Sequence, residues 1–352
     1  MPSLAAISKI DFPFKTNQQD VKEYAKKLFA VSFPEVERML STFDHTEIAT
    51  RNLCKSLDYY SQVHTFQDQN LEYIRLTLQY SVDAIEECIS SAQINKDDIT
   101  DIIFVSTTGL ATPSMDALII NKMKLNQHIN HMAIFGLGCG GGVSGYAKAC
   151  TLAKANNDAV VLLVTAELCS LTFLRDDFSK SNFIGASLFA DGVAACLITG
   201  DNHTKAKKEV TFIDNQSKLY FDTLDIMGWD FGNNGFKVLF SSGIPSIIAQ
   251  NVRNDVTSFL AKNQLELSDI KSFIFHPGGK KVLTAYQEAL GVEGDFLKTT
   301  REIMQGYGNM SSSTVLYVLE KFFNESFENG YGLMMSMGPG FSCEMVLLQM
   351  KK

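Results

Sequence analysis

One cysteine of the seven stands where a thiol could be put to chemical use. Cys139 ends the run Gly136-Leu137-Gly138 and is followed by Gly140, Gly141 and Gly142. Glycines let a backbone or a substrate come close, and a helix opening behind the turn aims free N–H groups and its positive dipole end at the sulfur. Both favour a thiolate nucleophile. The competing reading is a small buried hydrophobe in a tight turn. The other six (Cys54, Cys88, Cys150, Cys169, Cys196, Cys343) are scattered and form no CxxC pair. Neither a disulfide framework nor a zinc cluster fits that spacing.

Two further residues sit at similar punctuation. His276 ends the apolar run Phe273-Ile274-Phe275 and precedes Pro277-Gly278-Gly279. A histidine within a strand is usually a satisfied core residue. At a strand's C-terminal end it stands where open α/β folds hold their ligands. Asn309, after Gly306-Tyr307-Gly308, reads alone as the N-cap of a following helix. Taken together, Cys, His and Asn suit acyl transfer to sulfur followed by carbanion attack. The thiolate takes the acyl group, and His and Asn donate to a thioester oxygen that turns negative when a malonyl group loses CO2. No metal or redox cofactor is called for. A cysteine protease uses the same three types, but not on the scaffold described next.

The chain writes one order of elements twice. In the first half a helix is predicted over residues 70–92, followed by strands over 102–106 and 131–135. The second of these ends at the Cys139 turn, with a small-residue helix behind it, and strands at 160–165 and 193–199 close the half. In the second half a helix over 245–263 leads to a strand over 273–276 and a helix over 282–290. The Asn309 turn follows, then a helix over 312–323 and closing strands at 333–337 and 343–348. This alternation predicts a layered α/β fold with buried, mostly parallel strands. It also puts Cys139 and Asn309 at equivalent strand-to-helix turns, which a pseudo-twofold axis would bring together.

Composition sets the outer bounds. With 352 residues, 45% of them hydrophobic, the chain has enough for a large core or two fused core units. A net charge of −8 and a single Trp argue against a nucleic-acid surface. No segment approaches the ~20 apolar residues of a membrane span, and the N-terminus lacks the basic-then-apolar pattern of a secretory signal. A cytoplasmic location is expected.

At these residues the sequence resembles the chalcone and stilbene synthase family, the type III polyketide synthases, and is closer to their bacterial members. The likeness runs from about residue 43 to the C-terminus. It rests on Ser106-Thr107-Thr108-Gly109, Ala111-Thr112-Pro113, the Cys139 turn, Leu188-Phe189-Ala190-Asp191-Gly192, His276-Pro277-Gly278-Gly279, Tyr307-Gly308-Asn309-Met310-Ser311-Ser312 and Met337-Gly338-Pro339-Gly340. HPGG together with GNMSS separates the family from the β-ketoacyl-acyl-carrier-protein synthases III.

The resemblance implies a thiolase-like fold with duplicated αβαβαββ-type halves in an α-β-α-β-α layering. Residues 1–205 would form the half with the cysteine and 206–352 the half with the His and Asn. It also implies a homodimer acting on an acyl-CoA starter and a malonyl-CoA extender, with no cofactor. Cys139 would be the acylated nucleophile, and His276 and Asn309 the oxyanion donors that assist decarboxylation. Phe189 and Phe236 match the family's aromatic gatekeepers. Cys169, Thr172, Ser311 and Met227 match cavity positions, and Thr112 falls where the family sends a residue into the partner's cavity. Arg38, Lys280, Lys281, Gly278 and Gly279 are the candidates for CoA contacts.

Three departures bear on substrate. Cys169 stands where plant chalcone synthases carry Thr, Ser41 and His45 replace two CoA-binding basic residues, and the final glycine loop reads Ser336-Met337-Gly338-Pro339-Gly340. Small residues at 169, 172 and 311 predict a channel for a medium or long aliphatic starter and an alkylpyrone or alkylresorcinol product. A single-condensation enzyme resembling β-ketoacyl synthase III and a non-catalytic thiolase-fold subunit are the alternatives.

Overall fold

The computed structural model describes residues 1–29, 36–325 and 327–352. The first half runs β1 (Ser3–Lys9), β2 (Phe14–Asn17), α1 (Gln18–Phe29), α2 (Val36–Asp44), β3 (Thr50–Leu53), α3 (Leu57–Ser61), α4 (Phe66–Ala92), β4 (Asp101–Val105), α5 (Met115–Met123), β5 (Asn130–Ile134), α6 (Gly141–Ala155), β6 (Val160–Leu168), α7 (Lys180–Leu188) and β7 (Asp191–Thr199). The second runs β8 (Val210–Leu219), β9 (Met227–Gly232), β10 (Gly235–Phe240), α8 (Ile244–Lys262), β11 (Ile270–Phe275), α9 (Lys280–Leu290), α10 (Lys298–Tyr307), α11 (Thr314–Asn324), β12 (Gly330–Gly338) and β13 (Ser342–Met350). Local chemistry sets many of these bounds. Thr65 and Asp68 close a reciprocal capping box at the start of α4, and a left-handed Gln93 ends it.

The strands order as β11-β12-β13-β8-β1-β7-β6-β4-β5. This is two half-sheets joined where β1 meets β8 at the single pair Ser3↔Thr211. Only β4/β5, β4/β6 and β11/β12 run parallel, and the remaining neighbours are antiparallel. The expectation of mostly parallel strands is therefore corrected. The closing pair of the second half shows one reason. Only residues 339–341 separate β12 from β13, and so short a turn can return the chain only antiparallel.

The expected layering is present. Leu76 and Ile85 of α4 and Ile119 of α5 cover one face of the first half-sheet, against Phe104 and Leu162. Val143 and Tyr146 of α6 and Val315 and Leu319 of α11 lie between the half-sheets, against Leu163 and Val346. Ile248 and Phe259 of α8 and Leu283 of α9 cover the outer face of the second, against Phe273 and Leu347. Burying each such side chain contributes about 1.5–3 kcal/mol, so the middle helices, covered on both sides, are held hardest.

The repeat breaks before Asn309. Where β5 leads to Cys139, the helix α10 leads to Asn309, so the expected strand-to-helix turn is a helix-to-helix turn. The cause is legible in spacing: α10 buries Thr300, Ile303 and Met304, the i, i+3, i+4 pattern of a helix face. Asn309 meets sheet-like backbone only through an isolated bridge to Phe189.

Candidate active site

Cys139 lies in a single 3-10 turn (Gly138–Gly140) ahead of α6. The glycines around it are required by the other half of the molecule. A Cβ at Gly142 would sit 2.1 Å from the Ser312 carbonyl oxygen, and one at Gly138 (φ +46°) would sit 2.7 Å from Pro339 Cδ. The close approach expected for substrate is thus made first by the second half's turns. Cys139 is 8% exposed, and its thiol points to Ser311 Oγ at 3.8 Å.

The electrostatics differ from the expectation of a thiolate at Cys139. Burial pushes the Cys139 thiol up to about 12, with the Ser311 contact pulling the other way. Burial likewise pushes the His276 imidazole down to about 3. The reason is common to both: each charged form would lose its hydration inside the protein.

His276 follows β11, its backbone N–H donating to Met335 O at 2.8 Å, and both ring nitrogens are buried without a partner. Buried polar atoms are normally satisfied, so an orphan imidazole marks a place where something else binds. Asn309 is the reverse. Its Oδ1 accepts from Ser311 N at 2.9 Å, which fixes the amide's orientation, and Nδ2 donates to Gly278 O at 3.0 Å. That leaves one N–H of Nδ2 to offer. The bonds run from the Cys139 thiol to Ser311, from Ser311 to Asn309, and from Asn309 to the Gly278 turn that follows His276. Cys139 and Asn309 are thus linked through Ser311, and Asn309 is tied to the turn that follows His276.

Behind the cysteine lies a residue that the sequence reading missed. Glu167, fully buried near the end of β6, accepts from Thr107 N (3.0 Å), Thr108 Oγ1 (2.9 Å) and Ser312 Oγ (2.6 Å). Thr107 Oγ1 in turn accepts from Gly138 N at 3.1 Å, so Glu167 ties the nucleophile's turn to the second half. Desolvation pushes its carboxyl above the ordinary range while these donors oppose the shift. The available signal was an acid inside the run Val160–Leu168, which is apolar but for Thr165.

Beside this centre an apolar cavity opens between α1, α7 and the β9–β10 hairpin. Cys169, Thr172, Phe189 and Phe236 lie on its wall as expected, with the Trp229 ring tilted against Phe189 at 6.2 Å and edge-on to Phe236 at 5.6 Å. Cys169 is close enough to Cys139 for a charge there to raise its own pKa. Of the other expected cavity residues, Ser311 stands at the Cys139 thiol rather than on this wall, and Met227 lies elsewhere. Met227 packs against the outer core of the second half, where its apolar side chain is partly buried. Thr112, expected at the partner's cavity, is exposed on the surface of this subunit.

The CoA candidates are unequal. Lys280 pairs with Glu47 at 3.1 Å, a carboxylate it shares with Arg301, so part of its charge is already answered. Lys281 is exposed at the start of α9, and Arg38 is exposed on α2. Gly278 takes φ +60° and offers its carbonyl to Asn309, while Gly279 caps α9 beside Leu188.

Comparison with known proteins agrees with this geometry. The family models for chalcone and stilbene synthases match residues 45–202 (N-terminal domain) and 218–351 (C-terminal domain). The chain is 40% identical to the "Putative chalcone synthase" of Bacillus subtilis (strain 168), over 96% of each chain. It is 32% identical to the 1,3,6,8-tetrahydroxynaphthalene synthase of Streptomyces peucetius subsp. caesius, over 99% of this chain and 93% of that one. The crystal structure of the tetrahydroxynaphthalene synthase from Streptomyces coelicolor A3(2), a bacterial type III polyketide synthase, superposes with a TM-score of 0.93 at 26% identity, covering 99% of both chains. A duplicated, layered fold that gathers a cysteine, a histidine and an asparagine at its middle, matched along nearly its whole length by these relatives, makes this chain a member of the chalcone and stilbene synthase family, a type III polyketide synthase of the acyltransferase class.

Proposed function

We propose that Cys139 takes the acyl group of a medium- or long-chain aliphatic acyl-CoA, and that the chain extends it with malonyl-CoA and closes it to an alkylpyrone or alkylresorcinol. The observation that carries the starter is the apolar cavity, whose wall includes Leu28, Phe29, Phe43, Leu53 and Leu57 and reaches Cys169 beside the nucleophile. Each CH2 placed there gains about 0.8 kcal/mol, so affinity rises with tail length until the cavity is full.

In this reading the work divides between the half at 1–205, which holds the nucleophile, and the half at 206–352, which holds its helpers. His276, kept neutral by burial, donates one ring N–H, and Asn309 donates its free amide N–H to the oxygen that turns negative on decarboxylation. As Cys139 attacks, its thiol proton passes by way of His276 to the sulfur of the departing CoA. Phe189 and Phe236 gate the tail cavity, Ser311 steadies the thiol, and Lys281, Arg38 and the Gly278–Gly279 turn receive the CoA. The enzyme works as a homodimer. Strand β5 has a free edge with Met132 and the adjoining Phe135 exposed, which a second copy would cover, bringing Thr112 to its neighbour's cavity.

The test is mass spectrometry of products from acetyl-, octanoyl-, dodecanoyl- and coumaroyl-CoA, each with malonyl-CoA. The longer aliphatic starters should give the most cyclised product, and Cys169→Phe should shift preference to short ones. Preference for acetyl or coumaroyl starters, or a tetrahydroxynaphthalene product like the one named for the Streptomyces relatives, would sink the aliphatic assignment.

A further inference from the structure

The cavity wall is not uniformly apolar. Tyr60, at the end of α3, and Ser170, just after Cys169, both line it. The Tyr60 hydroxyl donates to Ser170 Oγ at 2.6 Å, and Ser170 Oγ donates to Asp191 Oδ2 at 2.6 Å. Asp191 is fully buried at the start of β7, held in place by Ser170 N (2.8 Å) and Cys54 N (2.7 Å). The Cys54 thiol reaches Ser170 Oγ at 3.5 Å, and the nearby Arg51 guanidinium feels the charge of Asp191 while its own bonds go to Ala186 O and Phe189 O. A hydroxyl at the cavity wall is therefore joined by two short hydrogen bonds, in one consistent donor direction, to a carboxylate that water does not reach.

We propose that Tyr60, Ser170 and Asp191 form a proton relay that enolises the bound β-keto chain for ring closure, with Tyr60 as the residue that touches it. The proposal rests on the reading that this cavity holds the growing chain. A C–H bond between two ketones breaks, and its electron pair moves onto a ketone oxygen. The proton goes to Tyr60 Oη as the Tyr60 proton passes to Ser170 and the Ser170 proton to Asp191, which becomes a neutral acid. The enolate then attacks the thioester carbonyl. The C–S bond breaks with its pair on the Cys139 sulfur, and as the Asp191 proton returns along the relay Tyr60 releases one proton, which restores the Cys139 thiol. No oxidant, reductant or co-reactant enters. Because the transfers run together, the buried phenol never has to exist as phenolate. Desolvation, which raises the proton affinity of Asp191, favours the terminal step.

The full-length wild type, Tyr60→Phe and Ser170→Ala are each given octanoyl-CoA and malonyl-CoA, with CoA release measured by thiol titration and products by mass spectrometry. The ratio of cyclised to open-chain product, per CoA released, should fall at least tenfold in both variants. A ratio within twofold of wild type in either variant overturns the relay, because each link is needed. In mixed H2O–D2O the wild-type ratio should bend with deuterium fraction, since several protons move together. A straight line overturns the concerted transfer, and this arm needs no variant to fold. If the wild type releases CoA but makes no extended product, the proposed function fails instead, so the two failures are told apart.

Discussion

The Cys139 and Asn309 turns occupy matching places in the two halves, yet they are built to opposite specifications. Asn309 is bonded throughout: its N–H to Leu188 O, its carbonyl to Ala190 N, its Oδ1 to Ser311 N and its Nδ2 to Gly278 O. The Cys139 sulfur has a single long contact to Ser311. A donor has to be aimed before charge develops, because reorienting it at the moment of reaction would cost the stabilisation it supplies. A nucleophile has to swing between free and acylated states. The duplication thus supplies one rigid turn and one turn whose side chain is left loose within a crowded backbone.

The sharpest way to break that comparison is to remove each turn's side chain. Cys139→Ala should abolish extended product while leaving slow malonyl-CoA decarboxylation, because the donors remain. Asn309→Ala should lower decarboxylation itself by roughly 10²–10³. Both are read by CO2 release alongside product mass. Equal decarboxylation in wild type and Asn309→Ala would remove Asn309 from the mechanism.

Backbone crowding gives a smaller effect. Gly142→Ala, whose methyl would meet the Ser312 carbonyl at 2.1 Å, should cost about 1–3 kcal/mol in urea unfolding. Gly306→Ala, in α10 with nothing within 4 Å, should gain about 0.5–1 kcal/mol. Equal midpoints for the two would show that the first turn is not held against the second half.

Electrostatics sharpen the comparison further. His276 has a folded pKa near 3 against an ordinary 6.5, so the fold favours its neutral form. The stability this gives is complete above pH 6.5 and is lost as pH falls below it towards 3. The urea midpoint of the wild type should therefore drop more between pH 7 and pH 5 than that of His276→Gln, and parallel drops would contradict the burial argument. Cys139 is the opposite case, raised from 9.0 to about 12, so its contribution is complete below pH 9 and lost above it.

The smallest expected difference is in labelling order. Iodoacetamide should modify Cys139 first, because at 8% exposure it is the most accessible of seven cysteines of which the others are 3% or less exposed. Its rate should climb with pH beyond 9. A fast reaction at pH 6 would restore the thiolate that the helix opening suggested.

The sequence by itself determined the alternation around the Cys139 turn, the layered α/β class and the candidacy of Cys139, His276 and Asn309, because turn glycines and apolar periodicity are local signals. Of the small residues at 169, 172 and 311 that predicted a channel, the first two line the cavity and the third stands at the nucleophile. The strand directions, the helix in place of a strand before Asn309, and the departure of Met227 from the cavity were decided by packing, since each depends on which surfaces meet across the repeat. Glu167, Tyr60, Ser170 and Asp191 became visible only when strands distant in sequence set donor beside acceptor. The charge states of Cys139 and His276 also belong to the tertiary structure, because desolvation depends on depth, and no spacing of residues along a chain records how far each will lie from water.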